Sequence, residues 1–402
     1  MTIKFIDHEI KDITESQLLG DRSKHLFVDQ FNYVDYKTVL KKNINYLPLH
    51  LRQPFGCEDA LDQIPNDIFL LMQQGIVRPL IIMLTEQWDL FDTYKWHENR
   101  LGLKPDFADV PYSKMVLNFT KRSIPEENIT WVVPMDNHLK QIQYLRERGY
   151  SIKARFLQYD YFLELLRPKA IKNKITERQF KKHFACLCGG TPRNHRFGLI
   201  YKLWLENLID KGAISCGAYK ELKESKESNW MNDEFAHTSN FMNQFDTWPE
   251  KQNTFKSILP LEYDNLYNQH WDDIDESNIF QDNFIWIANE RQIHNGVYVT
   301  EKTWKAIAYG SPLLINGQTG SLDYLRKQGY KTFNDFWDES YDNLGDYDRI
   351  NAIGEIVKNI SSKGLNEINS LYKEMMPILK HNQQTLINNM QNNNLIKELS
   401  NV

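Results

Sequence analysis

Asn295-Gly296-Val297-Tyr298-Val299-Thr300-Glu301-Lys302-Thr303-Trp304-Lys305-Ala306-Ile307-Ala308-Tyr309-Gly310-Ser311-Pro312-Leu313-Leu314-Ile315 reads as loop, helix, sharp stop and buried strand. Thr300 is suited to cap the helix, because its hydroxyl accepts from an otherwise orphaned backbone N–H. Glu301 then falls in the first turn, where the helix dipole favours an acid. Gly310 supplies the left-handed residue that closes the helix, and Pro312 blocks its continuation. The apolar run from Pro312 to Ile315 suits a strand buried on both faces. Backbone N–H groups at a helix start, beside a lysine, form a ready phosphate site. Adjacent side chains on a helix diverge by roughly 100°. Glu301 and Lys302 are therefore placed to hold two parts of one ligand, such as a ribose and a diphosphate. The alternative is a capping acid beside a solvated lysine.

The chain has 402 residues, room for two domains, with 41% hydrophobic and 25% charged residues, an ordinary globular balance. A formal net charge of −5 argues against broad nonspecific nucleic-acid binding, though not against a local basic face. The four cysteines, Cys57, Cys186, Cys188 and Cys216, form no C-x-x-C pair and are too few for a disulfide scaffold. They read as buried free thiols. The first residues show no basic region followed by an apolar core, and no apolar run approaches the ~20 residues of a membrane span. The expected setting is the cytoplasm, with no membrane partner.

Working outward, short apolar runs alternate with helical stretches. Strands are expected at Pro79–Leu84, Thr130–Met135, Ile152–Leu157, His183–Cys188 and Asn283–Glu290. Helices are expected at Leu139–Arg148, ended by Gly149, and at Leu322–Lys327, ended by Gly329. Further helices are expected over Ile350–Ile360 and along Met375, Leu379, Leu386 and Met390. That last helix is amphipathic, Asn- and Gln-rich, with a frayed end. Strand–helix–strand spacing of this kind implies a parallel α/β sheet. The stretch Glu221–Asp275 reads as loops and short helices. Between Arg167 and Lys182 the chain turns basic, with Arg167, Lys169, Lys172, Lys174, Arg178, Lys181 and Lys182 against the lone acid Glu177. This is the expected interdomain connection, either a solvated linker or a phosphate-contacting patch. The division is 1–175 for an N-terminal domain, 176–350 for a second α/β domain and 351–402 for a C-terminal helical segment.

After the strand His183–Cys188, Gly189-Gly190 allows a tight turn, Thr191 can cap and Pro192 suits a first helical turn. The apolar stripe Leu199, Ile200, Leu203, Trp204 and Leu208 carries the helix on to Lys211-Gly212. There is no G-x-G-x-x-G pattern. Arg193, Asn194, His195 and Arg196 crowd the helix start, where cations oppose the dipole. An anionic ligand would explain them, and arginines pointing to water are the alternative. His195 either holds a phosphate or sits in the core.

Tyr298-Val299-Thr300-Glu301-Lys302, followed by Ala306, Gly310, Pro312 and a buried strand, resembles the donor-binding signature of the alpha-1,3-fucosyltransferase family. The resemblance implies the GT-B fold, α/β with two Rossmann-like domains facing a cleft, here followed by C-terminal helices. It implies that Glu301 contacts the ribose and Lys302 the diphosphate of a nucleotide-sugar. Arg193 and Arg196 are candidates for that family's diphosphate-binding arginine. The wider order Thr191–Arg196, Thr300–Lys305, Leu322–Phe333, Tyr341-Asp342 and Arg349 is similar to glycosyltransferase-like proteins of tailed phages.

Transfer from such a donor needs the leaving diphosphate stabilised. Lysine, arginine and helix N-termini do this without a metal, so the expected donor-binding set is Arg193, His195, Arg196, Glu290, Tyr298, Thr300, Glu301 and Lys302. No cofactor is needed beyond the nucleotide-diphosphate sugar as co-substrate. Asp273/Asp275 and Asp346/Asp348 have the letters of a metal clamp, but neither pair follows a clear strand. An inverting enzyme needs a general base. Glu86 and Asp136 follow first-domain strands and are the candidates, with Asp160 a third. A hydroxymethylated pyrimidine in double-stranded phage DNA, a glycan and a small molecule all remain as acceptors. Trp88 and Trp96 are available to support an extruded base. A non-catalytic nucleotide- or DNA-binding relative, or a sugar-nucleotide epimerase, is the alternative function.

Overall fold

The runs Thr130–Val133, Gly212–Ser215, Asn283–Asn289 and Leu313–Asn316 form strands buried at every residue, the pattern expected of parallel sheets. The computed structural model describes residues 3–6, 32–39, 43–51, 61–83, 111–133, 136–147, 149–160, 163, 170–188, 193–217, 241–262, 277–290, 297–392 and 395–400. The chain is α/β and divides into two units, Met1–Leu165 with Met390–Val402, and Leu166–Asn389.

The first unit carries strands β1 (Ile3–Ile6), β2 (Tyr33–Val34), β3 (Ile44–Leu51), β4 (Val77–Met83), β5 (Thr130–Val133) and β6 (Arg155–Gln158). They form one sheet, ordered β2-β1-β3-β4-β5-β6, with every pairing parallel. Helices α1 (Asn66–Gln73), α2 (Pro111–Lys121) and α3 (Asp136–Glu147) lie between strands in sequence. Ile68, Met72, Tyr112, Met115 and Phe119 join Leu47, Ile81 and Trp131 in one core. On a second core Leu395 and Leu399 of α11 (Leu395–Ser400) meet Phe5, Tyr46, Leu80 and Val132.

The second unit carries β7 (Lys182–Leu187), β8 (Gly212–Ser215), β9 (Asn283–Asn289) and β10 (Leu313–Asn316). Their order is β10-β9-β7-β8, again all parallel. Its helices are α4 (Asn194–Leu205), α5 (Trp248–Ser257), α6 (Ser277–Asp282), α7 (Glu301–Tyr309), α8 (Ser321–Lys327) and α9 (Asp346–Ser361). Then comes the 28-residue α10 (Leu365–Asn392). No helix of the described residues is long and apolar enough to cross a membrane.

Three local expectations are corrected. The strand expected from Ile152 begins at Arg155, because side chains take the backbone groups just before it. Arg146 donates to the carbonyls of Ile152 and Ala154, and the Glu126 carboxylate accepts from the N–H groups of Lys153 and Ala154. The helix after β7 starts at Asn194 with Arg193 as its N-cap; Gly189 to Pro192, expected to form the turn and cap, lie outside the described residues. It ends at Leu205 rather than near Gly212. Asn207, at φ +57°, does the closing, with Leu208 N–H reaching Leu203 O at 2.9 Å, the bond of a left-handed helix stop. Gly212 instead opens β8 beneath the Phe184 ring, where an added Cβ would come within 2.2 Å.

Three cations of the basic stretch are engaged by neighbouring groups. Arg178 is partly buried, donates to the carbonyls of Phe280 and Tyr309, and lies 5.3 Å from the Tyr372 ring centre. Lys181 pairs with Asp282 at 2.9 Å, and Lys182 donates to Gly212 O at 2.9 Å. Glu177 pairs with Lys373. Lys172 and Lys174 are exposed; Arg167 and Lys169 lie outside the described residues.

Gly310 closes α7 at φ +68°, with Ser311 N–H on Ala306 O at 2.8 Å. An added Cβ would meet Ile175 Cγ1 at 2.5 Å. Gly310→Ala is expected to destabilise the protein by about 1–2 kcal/mol from the left-handed backbone alone, with overpacking against Ile175 added. Urea unfolding at fixed pH checks this, and an unchanged midpoint would reject the assigned strain.

Candidate functional site

The connection from β7 leads to β8 on one side, and that from β9 leads to β10 on the other. The strand order therefore reverses between β7 and β9, and open parallel sheets bind ligands at the carboxyl ends of strands at such a reversal. Residues from α4, which follows β7, and from α7, which follows β9, meet there.

Glu290, the residue after β9, ties them together. Its backbone N–H continues the ladder to Asn316 O at 3.0 Å. Its carbonyl accepts from His195 Nε2 at 2.8 Å and from Arg196 Nε and Nη2 at 3.2 and 3.1 Å. A carbonyl only accepts, so His195 carries its proton on Nε2. The Glu290 side chain is fully buried. Oε1 accepts from Thr300 N–H at 3.2 Å and Thr303 Oγ1 at 2.6 Å, and Oε2 from Thr300 Oγ1 at 2.5 Å. Burial pushes the Glu290 carboxyl above its ordinary range, opposed by the Lys302 charge and the two threonine hydroxyls. Gly317 lies against this side chain, where any Cβ would sit 3.0 Å from Glu290 Cβ and Cγ.

Thr300 caps α7 as expected, accepting from Lys302 N–H at 3.4 Å. The N–H groups of Thr303 and Trp304 turn back to Thr300 O. The first turn is thus largely satisfied internally, and the expected phosphate cradle of free amides reduces mainly to the Lys302 ammonium. Nor do Glu301 and Lys302 diverge. The Lys302 stem folds back, placing Nζ on Glu301 Oε1 and 3.3 Å from Thr300 Oγ1. Glu301 is 5% exposed, and its Oε2 has no hydrogen-bond partner among the described residues. Burial pushes this carboxyl up, but Lys302, with Lys305 one turn on, outweighs it and holds the carboxyl below its ordinary range.

The other expected site residues fall as follows. Arg193 is half-buried at the N-cap of α4. His195 is buried and Arg196 partly buried, both engaged on Glu290 O. This gives a structural reason for two polar side chains at a helix start that otherwise opposes cations. Tyr298 is buried, with its N–H on Gln318 Oε1 at 3.4 Å. In the first unit Asp136 is the first residue of α3, just past β5, and Asp160 lies two residues past β6. Glu86, Trp88, Trp96, Asp273 and Asp275 lie outside the described residues. Asp346 and Asp348 sit in the first turn of α9, with Asp346 3.4 Å from Arg349. Among the described residues no group of three His, Cys, Asp or Glu side chains could hold a metal ion.

Sequence reasoning passed over several supporting residues. Asn289 and Asn316, partners in the β9–β10 register, are hydrogen-bonded at 2.7 Å. Asn316 also donates to His195 O, and Asn289 to the thiols of Cys186 and Cys188. Those two cysteines and Cys216 are buried and free; Cys57 lies outside the described residues. Arg349 is buried and clamps the segment after β10, donating to Gly317 O, Thr319 Oγ1 and Leu344 O. A lone Asn ending each of two apolar strands was the available signal for the first pair. Arg349 had none beyond its place in the phage-like segment.

Glu290→Ala would strip three donors of their acceptor, a loss of about 3 kcal/mol or more; Glu290→Gln keeps an acceptor and should fold. Because the folded carboxyl is raised, the folded state holds that proton more tightly. This group's stabilising effect is present below its ordinary value of 4.5 and declines as pH rises through the folded value. The stability difference between Glu290→Gln and wild type should therefore move in the variant's favour from pH 4.5 to pH 7.5, as read by urea titrations. Movement the other way would contradict the burial assigned to Glu290. Compared with known proteins, this sequence matches no family model and no curated protein, so the geometry of the β7–β9 reversal is what a functional reading rests on.

Proposed function

We propose that this protein is a glycosyltransferase of the GT-B kind, transferring a sugar from a nucleotide-diphosphate donor to a hydroxyl acceptor. The observation that carries the reading is the Thr300-Glu301-Lys302 helix start at the reversal of strand order, with a buried acid and a lysine side by side. Two parallel-sheet units in one chain also agree with that architecture, and the order of motifs resembles the fucosyltransferase-like donor domain.

In this reading the acceptor oxygen attacks the anomeric carbon, and the bond from that carbon to the diphosphate oxygen breaks. The electron pair leaves with the diphosphate, whose growing charge is met by Lys302 and by the edge of Arg196 not turned to Glu290. Such fixed cations stabilise a leaving group without reorganisation. Glu301 holds the ribose hydroxyls. Glu290 and His195 orient the helix starts rather than meet the ligand. The acceptor's proton needs a general base, for which Glu86 and Asp136 are the candidates that the sequence offers. For a DNA acceptor the phosphate track cannot draw on Arg178 or Lys182, which are bound to backbone carbonyls. The exposed Lys172 and Lys174 remain for such a track, and a glycan or small-molecule hydroxyl is the alternative acceptor.

Lys302→Ala should weaken nucleoside-diphosphate binding roughly tenfold to a hundredfold, the worth of one charge-assisted contact. Thermal shift of wild type and variant against UDP, GDP, CDP and ADP, with their sugars, provides the measurement. Ligand present at about a hundred times its Kd should stabilise the wild type by about 2.7 kcal/mol. Equal shifts in both proteins would remove the donor-site assignment.

A further inference from the structure

We infer that Glu301 and Lys302 form a ligand-opened latch that makes the site select an intact nucleoside diphosphate over either of its halves. The inference rests on the donor-site reading above and adds how the site discriminates.

Lys302 Nζ is held by Glu301 Oε1 and Thr300 Oγ1, while Glu301 Oε2 is buried with no partner among the described residues. A cation at a helix N-terminus gains nothing from the dipole, so the acid is what keeps Lys302 there. An anionic group arriving at α7 competes with Glu301 for the ammonium. If it draws Lys302 away, Glu301 loses its closest counter-charge while still 5% exposed. Among the described residues, buried Lys305 one turn on and the Glu290 carboxylate also act on it. Leaving a buried carboxylate without its partner is costly, unless the same ligand brings hydroxyl donors to it. Inorganic pyrophosphate offers no ribose hydroxyls. A nucleoside offers the donors but nothing to draw the ammonium off, so Oε1 stays occupied and only Oε2 is left to bind it. Only a molecule with both parts completes the exchange.

The latch predicts reciprocal gains. Lys302→Met removes the internal occupant of Glu301, so nucleoside affinity should rise at least threefold while diphosphate affinity falls at least tenfold. Glu301→Gln removes the charge that is stranded when Lys302 leaves, so pyrophosphate affinity should rise at least threefold. Isothermal titration calorimetry on the full chain would measure this. The titrants are adenosine, cytidine, guanosine and uridine, their diphosphates, and inorganic pyrophosphate, with melting curves confirming that both variants fold. Both gains together support the latch. If diphosphate affinity falls in Lys302→Met but either gain is missing, the latch is overturned and the donor site stands. If no diphosphate binds the wild type, or the variants bind it as well as the wild type does, the latch and the donor site fail together.

Discussion

The second unit turns on one buried carboxylate. Glu290 follows the last residue of β9, where the sheet stops supplying partners for its backbone carbonyl. Buried backbone groups must be paired, and His195 and Arg196 fill that need from α4. The side chain then faces inward, where an ionised carboxylate is unfavourable. Three donors from the first turn of α7 compensate it. One residue thus fixes the end of β9, the starts of two helices and, through Gly317, the segment leaving β10. The position of Lys302 and Glu301 follows from this anchoring, because Thr300 is simultaneously the cap of α7 and a donor to Glu290.

A second consequence is the division of the cations. Several that look available are spent on backbone oxygen. Arg146, Arg178, Lys182 and Arg349 all donate to main-chain carbonyls, and Arg196 does so through its Nε–Nη2 edge. Carbonyls at strand and helix ends are strong acceptors with no partner in their own element, and long cationic side chains reach them well. Lys302 is different. Its partners are a carboxylate and a hydroxyl at a helix start, both of which a ligand can replace.

The Asn- and Gln-rich helix α10 follows the same logic with neutral groups. Asn382 donates to Lys331 O and accepts from Lys331 N–H, Asn369 accepts from Phe180 N–H, and Gln383 donates to Asn173 O and Ala308 O. These amides pair main-chain groups of other elements, while Met375, Leu379, Leu386 and Met390 supply the buried stripe. Polar composition here marks side-chain-to-backbone fastening on an amphipathic helix.

The sequence by itself determined the parallel α/β character, most strands, and the cap, acid, lysine and glycine stop of α7. Those are local properties: hydrophobic period, turn chemistry and the conformations open to Thr300, Gly310 and Pro312. It also placed Glu290 at a strand end and the cationic run at the start of α4. Tertiary structure decided what these groups do. Whether Arg178 is solvated and whether His195 is core depend on atoms about a hundred residues away in sequence, and whether Glu301 and Lys302 diverge or pair depends on how the start of α7 is held. The start of β6 was settled nearer by, where Arg146 and Glu126 reach backbone that a periodicity argument assigns to the sheet. A residue's type fixes which bonds it can make, but only the packed chain fixes which partners are within reach and which are shielded from water.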